Sequence, residues 1–532
     1  QEGEVFLALS VFCGGFTGQA ARQVAGATLQ DLRALINRSL LQRAPSGRYE
    51  IHELVRQYAA EKLAGSPSVE EAVGDGHSAY YAAAMRRWAE DLQGARQMAA
   101  LAEMDVEIDN ARAAWDWAVA EGQVDRLDRA LDGLAGSYDL RARYPEAETV
   151  LQSVEEALQA AAPGGGLRLL VRVLAWQGLL TWRLGHTELA NERLARCLAL
   201  LDDPRLDGED TRREKAFALY CQGYAVHDVD REAARDLLEQ SVALYEALGD
   251  SYWLACALKL LGEVVSQLGD YGEGRRLIER GMAQARAVGD QRTVAWGLQW
   301  LSFVAFYQGQ VEEAARFSRE SADIYRALGA RAELAYSLVM LTGSLVLQGR
   351  FDEARSHALA GIQAYDELGL RHAYSAMARL WLGMVEWGSG NYEQGRLELE
   401  STLALARETD WMRGVGACLL GLGAISLVDR GPEQALRLLE EGTSISQGIK
   451  QLDDYAWGLA IMGYAECERG QIDQARKQLF EALRLAAELG AMSPVAFVLP
   501  GIAWLWVSCG QAERAVELYA LTSGTPIGQW RW

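Results

Sequence analysis

The sequence predicts an all-α solenoid of stacked helix pairs, and three observations carry that prediction. The first is a phrase, Gly–x–hydrophobic or aromatic–acidic–x–Ala, that recurs along most of the 532 residues. It reads Gly269-Asp-Tyr-Gly-Glu-Gly274, Gly309-Gln-Val-Glu-Glu-Ala314, Gly349-Arg-Phe-Asp-Glu-Ala354, Gly390-Asn-Tyr-Glu-Gln-Gly395 and Gly470-Gln-Ile-Asp-Gln-Ala475. Its anchors fall at 185, 228, 269, 309, 349, 390, 431, 470 and 510, in steps of 43, 41, 40, 40, 41, 41, 39 and 40. A fixed period in this range marks an array in which each unit packs on its neighbours, and such arrays offer long binding surfaces. The second observation is a closing glycine at 249, 289, 329, 369 and 490. Glycine just past a last helical turn tolerates the left-handed backbone that ends a helix. The third is a pair of small residues around each anchor. Seven before it stand Gly178, Cys221, Gly262, Ser302, Thr342, Gly383, Ala424, Gly463 and Ala503. Five after it stand Ala190, Ala233, Gly274, Ala314, Ala354, Gly395, Ala475 and Ala515, with Ala435 one residue short in the unit at Gly431. Small side chains there let two helix backbones approach closely.

Residues 1–65 do not follow the repeat. Helices are predicted over about 3–11, 18–25 and 28–40. A short hairpin follows, with Leu41-Gln-Arg and Arg48-Tyr-Glu-Ile on either side of Pro45-Ser-Gly47, then a helix from about His52 to Leu63. Helices followed by a glycine-containing hairpin predict a winged helix, a variant of the helix-turn-helix plan. The expected division is a winged-helix domain over 1–65, a helical connector over 66–120 and the repeat domain over 121–532, with clear repeats over about 165–522. A weaker unit precedes those repeats at Tyr144-Pro-Glu-Ala147, and Ala161-Ala-Pro-Gly-Gly-Gly166 reads as a loop. In the unit around Gly309, amphipathic helices are expected from about Gln291 to Gln308 and from near Glu312 to Leu328. The chain opens with Gln1 inside a helical pattern, so it is expected to be part of a longer protein.

Composition narrows the function classes. Half the residues are apolar and nine are Pro, which suits a helical protein with a large core. No apolar run reaches eighteen and no signal peptide opens the chain, so no membrane partner is expected. The seven Cys are scattered, with no Cys-x-x-Cys pair, which predicts reduced thiols and a cytoplasmic setting. Formal net charge is −21. Residues 1–65 carry seven Lys/Arg against six Asp/Glu, and the remainder 45 against 67. So acidic an array is a poor match for a phosphate backbone. The six His lie far apart without zinc spacing, and no Ser–His–Asp order stands out. No catalytic residue, metal site or enzymatic activity is expected of this chain.

The small–turn–small pattern resembles the tetratricopeptide repeat (TPR) over roughly residues 165–522. These units are about six residues longer than the usual one and lack its closing Pro, which implies lengthened helices. The resemblance implies a right-handed superhelix of about ten pairs whose first helices line the concave face. Positions thirteen, ten, six and three before each anchor then face the groove. They give Trp296, Gln299, Phe303 and Phe306; Tyr336, Val339, Gly343 and Val346; Met377, Leu380, Met384 and Trp387; and Trp457, Ala460, Tyr464 and Cys467. A contiguous apolar patch on a concave face points to a protein or small-molecule partner. A tightly wound array that buries its inner face as core is the other reading of the same residues.

The front carries a second likeness. Leu9-Ser-Val-Phe-Cys-Gly-Gly-Phe-Thr17, Leu35-Ile-Asn-Arg-Ser-Leu-Leu41 and Tyr49-Glu-Ile-His-Glu-Leu-Val-Arg-Gln-Tyr-Ala59 resemble the winged helix that follows the nucleotide-binding module of bacterial STAND proteins, signal-transduction ATPases with numerous domains. His77-Ser-Ala-Tyr-Tyr81 and Glu107-Ile-Asp-Asn-Ala-Arg-Ala-Ala-Trp-Asp-Trp-Ala118 are similar to the connector before their TPR sensor. No G-x-x-x-x-G-K-[ST] is present, so the resemblance places the ATP/ADP-binding module upstream of Gln1 and no cofactor in this chain. It assigns His52 to the phosphates of ADP in the longer protein, with a capping or packing histidine as the alternative. It implies a sensor in which an inducer in the groove shifts the array, an intramolecular contact to the ATPase module, a monomeric piece and an oligomeric activated parent. Arg33, Arg38, Arg43 and Arg48 form a weak basic cluster on the winged helix, but a solvated face or a contact with the ATPase module weighs against DNA. A constitutive scaffold and a DNA-binding regulator are the competing functions.

Overall fold

The computed structural model describes residues 2–160, 166–227, 229–368, 373–490 and 492–523. The chain divides into two compact units, Gln1–Leu261 with Ala283–Gln291, and Gly262–Met282 with Arg292–Trp532. It is an all-α helical solenoid with a small mixed head.

The head holds α1 (Glu2–Leu9), α2 (Gly18–Ala25), α3 (Leu29–Asn37), β1 (Gln42–Arg43), β2 (Tyr49–Glu50) and α4 (Glu53–Ala64). Threonines start two of its helices. Thr17 Oγ1 accepts from the Ala20 amide, and Thr28 forms a reciprocal cap with Asp31, which satisfies donors that a helix start leaves open. The third helix stops earlier than the sequence pattern suggests, because Ser39 turns left-handed at φ 60°. β1 and β2 pair antiparallel, Gln42 with Glu50 and Arg43 with Tyr49. Phe16 adds a further bridge to Tyr49. Leu9, Phe12, Phe16, Leu32, Leu35 and Leu41 are buried beneath them.

The long helices α5 (Pro67–Leu92) and α6 (Gln97–Ala120) pack on each other. Ten helix pairs follow among the described residues. Those in the first unit are α7 (Val124–Leu140) with α8 (Tyr144–Ala160), α9 (Leu167–Arg183) with α10 (Thr187–Leu201), and α11 (Arg212–Val226) with α12 (Arg231–Leu248), while the residues of α13 (Ser251–Gln267) with α14 (Tyr271–Val288) are divided between the two units. The others are α15 (Gln291–Tyr307) with α16 (Val311–Ala327), α17 (Arg331–Leu347) with α18 (Phe351–Glu367), α19 (Ala373–Gly388) with α20 (Tyr392–Glu408), α21 (Met412–Asp429) with α22 (Pro432–Gly448), α23 (Leu452–Glu468) with α24 (Ile472–Glu488), and α25 (Met492–Ser508) with α26 (Ala512–Ser523).

Backbone geometry explains the period. Gly185, Gly269, Gly309, Gly349, Gly390, Gly431, Gly470 and Gly510 all have positive φ. So do the closing Gly249, Gly289, Gly329 and Gly490; positions 228 and 369 lie outside the described residues. Three non-glycine residues complete the pattern. Ala142 (φ 54°) anchors the weak unit at α7, and Asp410 (φ 50°) and Lys450 (φ 57°) stand at closing positions.

Between the two helices of a pair, the small residue before the anchor receives a branched side chain nine residues after it. A Cβ on Gly178 would lie 2.4 Å from Leu194 Cγ, on Gly262 2.6 Å from Ile278 Cγ1, on Gly383 2.7 Å from Leu399 Cγ, and on Gly463 2.5 Å from Leu479 Cγ. Two units depart from the expected register because their turns differ in length. Gly423, not Ala424, meets Leu439, and Gly223, not Cys221, meets Leu238. Ala234, not Ala233, is the buried residue after the second of these turns.

α21 is 18 residues long with a mean hydropathy of 1.4, yet 67% of it is buried inside the protein. It packs against α20 and α22, so its apolar surface is spent on neighbours.

Candidate functional site: the aromatic cluster of the second unit and the docked head

The predicted groove residues separate by what they touch. Val339 is fully buried in a cluster with Ala335, Ala358, Ile362 and Tyr365, and Met377 packs against its edge. Gln299 donates to the Glu333 carbonyl at 3.0 Å and to Ser337 Oγ at 2.8 Å, which ties α15 to α17. Tyr464 is buried, donates to the Phe497 carbonyl at 2.8 Å and meets the Trp504 ring. Leu380, Met384 and Trp387 are buried on α19. Trp296, Tyr336 and Trp457 are half-buried, and the Trp457 ring meets Phe497 edge-on. Gln299 and Tyr464 thus link one first helix to the next, Val339 packs also on the second helix α18, and Trp296, Tyr336 and Trp457 keep part of their surface exposed.

Phe303 and Phe306 belong to a different assembly. Both surround Tyr307, at ring separations of 4.6 and 5.3 Å, and Phe306 also meets Trp381 at 5.8 Å. Tyr271 stacks on Tyr307 at 5.9 Å with planes 3° apart. Arg413, 106 residues further along, donates from Nη2 to Tyr307 Oη at 2.6 Å. Its other contacts are Asp454, 3.2 Å from Nε, and Asp453, 3.5 Å from Nη2. Gln451 holds Asp453 from the other side at 2.9 Å. The starts of α21 and α23 thus meet the end of α15 within the second unit. Burial pushes the Tyr307 phenol up, and burial raises the Asp454 carboxyl to about 6 against the opposing pull of Arg413. An aromatic wall beside a guanidinium and two carboxylates can take both an apolar side chain and a charged or amide group.

Sequence reading missed Tyr271, Tyr307, Arg413, Asp453 and Asp454. Tyr271 fills the aromatic slot of the recurring phrase and reads as repeat architecture. Tyr307 lies one residue off the groove spacing. The three charged residues stand at helix starts, where charge is ordinary. Nothing local marks any of them as a partner of residues a hundred positions away.

At the front, the head is bound to α6. Glu107 is buried and pairs with Arg48, whose guanidinium also reaches the Gly15 carbonyl. Glu107 also accepts from Tyr81 Oη at 2.8 Å and from Asn110 Nδ2 at 3.0 Å. Asn110 also accepts from the Cys13 amide at 2.9 Å and donates to the Gly15 carbonyl at 3.0 Å. Arg48 is therefore spent inside the protein, and Arg38 pairs with Glu2 at 2.7 Å. Of the four arginines in the basic cluster, Arg33, Arg38 and Arg43 are exposed, Arg38 within its surface pair, and Arg48 alone is withdrawn. His52 begins α4, is exposed and makes no capping hydrogen bond.

No protein-family model matches the chain. Over 267 residues it is 27% identical to Putative HTH-type transcriptional regulator Rv0890c of Mycobacterium tuberculosis (strain ATCC 25618 / H37Rv), and equally to the protein of the same description, Mb0914c, from Mycobacterium bovis. The match takes in 48% of this chain and 29% of those proteins, so the chain spans less than a third of the curated relatives it matches. Among solved structures, the STAND protein with a tetratricopeptide repeat sensor, PH0952 from Pyrococcus horikoshii, aligns over 83% of this chain and 62% of its own at a TM-score of 0.57 and 14% identity. At that identity the likeness is one of fold. A Rap protein complexed with competence and sporulation factor aligns more loosely, over 59% of this chain and 88% of its own, at a TM-score of 0.48 and 12% identity.

Proposed function

We propose that this chain is the signal-sensing and autoregulatory region of a STAND-type regulator acting in the cytoplasm. Residues 1–65 serve as a winged helix that couples to a nucleotide-binding module upstream, and the solenoid takes a protein, peptide or small-molecule inducer. The observation that carries the reading is the docking of the head onto α6 through Arg48, Glu107 and Asn110. Glu107 and Asn110 belong to the connector motif that resembles STAND proteins, Arg48 directly precedes the motif Tyr49–Ala59, and the bond joins head and connector ahead of the repeats. The solenoid's likeness in fold to a STAND protein with a TPR sensor supports the same assignment.

In this mechanism the inducer engages the aromatic cluster of the second unit around Phe303, Phe306 and Tyr307. To switch the protein it must favour one arrangement of the array over another, because only differential affinity moves an equilibrium. His52, exposed at the start of α4, is free of a capping duty and able to donate to a phosphate on the adjoining module. The loss of Arg48 from the basic cluster speaks against DNA contact by this head.

The test is made on the full-length protein. Bound ADP should leave at least several-fold faster from His52→Ala than from the parent, followed by fluorescent-nucleotide exchange. An unchanged release rate removes the role of His52, and a full-length protein that binds no nucleotide removes the assignment.

A further inference from the structure

The first unit contains a cavity of about 370 Å³ away from the groove just described. One wall is α5, through Arg86 and Glu90. The rest of the lining comes from successive first helices of the repeat, α7, α9, α11 and α13, and from Tyr245 of α12. Five arginines line it, in a chain whose net charge is −21. Such a concentration runs against the composition and asks for a reason.

Three of the five are committed to carboxylates of the protein. Arg172 is clasped by Asp128 and Asp132, Arg168 by Glu214 at 2.7 Å, and Arg213 by Asp250 at 3.2 Å. The other two are not neutralised in this way. Arg86 has a 3.8 Å surface pair with Glu90 one turn along its own helix. Arg129 forms no hydrogen bond or ion pair among the described residues. The lining also carries Glu90, Asp128, Asp132 and Glu214, so Arg129 is the cation without a carboxylate partner among the described residues, and Arg86 is held only by its weak surface pair. Exposed pairs at such distances contribute little, so a ligand anion would displace Glu90 from Arg86 at small cost.

A second observation points to a ligand. Glu214 is 6% exposed, and its Oε2 is buried with no hydrogen-bond partner. The Oη of Tyr245, also in the lining, is buried and unpartnered as well. Buried polar atoms left unpaired are costly, and a carboxylate oxygen more so. A ligand N–H or O–H would satisfy Glu214. In the same lining, Phe217 and Trp253 meet edge to face at 4.7 Å and offer an aromatic surface.

We propose that this cavity binds a small organic anion with a planar or apolar body and an N–H or O–H donor. Its carboxylate or phosphate meets Arg86 and Arg129, its donor meets Glu214, and its body lies on Phe217 and Trp253. Because one wall is the connector helix and the other is the start of the repeat array, an occupant clamps the two together. The site is thus a place where a metabolite-sized effector stiffens the link between head and sensor. It does not depend on the groove reading.

The experiment uses the chain as it stands and two probes, adenosine 5′-monophosphate and N-acetylphenylalanine, which separate a phosphate from a carboxylate anion. Calorimetric titration should give saturable one-site binding for at least one of them, weakening as salt rises. The neutral counterparts, adenosine and N-acetylphenylalanine amide, should bind at least tenfold more weakly. Arg86→Gln with Arg129→Gln should weaken the anion at least tenfold while leaving the circular dichroism spectrum and melting temperature of the free protein unchanged, since neither residue is committed to the fold. Arg413→Met, in the second unit, should leave this binding intact. Absence of saturable binding by both anions, or affinities that the double substitution or charge removal does not change, would overturn the proposal.

Discussion

Lys450 stands where the following unit places Gly490, with a left-handed φ of 57°. A side chain in that conformation costs about 1 kcal/mol, because Cβ crowds the following carbonyl. Lys450→Gly should therefore stabilise the second unit by about 0.5–1 kcal/mol. The reciprocal change, Gly329→Ala, meets no atom within 4 Å of the new Cβ, so it should cost about 1 kcal/mol through the backbone alone. Thermal denaturation of both variants checks the pair, and a neutral Gly329→Ala would show that the turn relaxes. His77 supplies a pH test. It is 1% exposed between Phe12 and Tyr81, and burial lowers its pKa to about 4. The unfolded chain then binds more protons than the folded one between about pH 4 and 6.5. The histidine's contribution is complete above that window and is lost as pH falls through it, by a total on the order of 3 kcal/mol. His77→Gln should flatten the urea-unfolding free energy across this range, and an unchanged slope would place the titration elsewhere. The glycine anchors were readable as residues. The duties of Asp410, Lys450 and Ala142 were not, because a non-glycine residue can occupy a left-handed position without advertising it.

Helix pairing follows a rule of one small residue against one branched side chain. The sequence shows the small partner at fixed spacing, but the branched one is hidden among many leucines on an amphipathic face. Leu194, Ile278, Leu399 and Leu479 emerge only once the helices are laid together. The unit at Gly309 keeps the geometry with different chemistry. Ser302 takes the small position and Ser318 the branched one, their hydroxyls 2.7 Å apart, and Ser302 also bonds the Ala314 carbonyl at 2.9 Å. Gly383→Ala should cost about 1–3 kcal/mol, since the new methyl would press within 2.7 Å of Leu399 Cγ. In a double-mutant cycle, Leu399→Ala should recover part of that loss. Purely additive effects would mean that the two helices simply move apart. The register slips at Gly223 and Gly423 arise because a turn of different length rotates the neighbouring helix, and spacing counted from the anchor cannot register that rotation.

The second unit is joined to itself by Arg413, which connects elements three repeats apart. Arg413→Met would leave Asp453, 5% exposed, and Asp454 without their cation. The expected cost is about 2–4 kcal/mol. Faster hydrogen exchange is expected at the end of α15, where Tyr307 loses its donor. Asp454 adds a pH signature. Its folded pKa, raised to about 6, lies above its ordinary value of 3.8, so the folded state holds more protons and stability falls as pH rises between those values. Without Arg413 that fall should steepen and extend to higher pH. An Arg413→Met protein with the parent's exchange pattern would show that the contact does not hold the unit together.

Helix content, repeat length, turn positions and the close approach within each pair are local consequences of spacing, and the chain states them openly: glycine conformation and 3.6-residue periodicity act over a few residues. The pairing of Arg413 with Tyr307, the clasp of Arg48 by Glu107, the orphaned oxygen of Glu214 and the burial of Val339, Leu380 and Trp387 depend on how rotations accumulate from one helix to the next. Those sums brought distant side chains into contact, and no spacing along the chain records them.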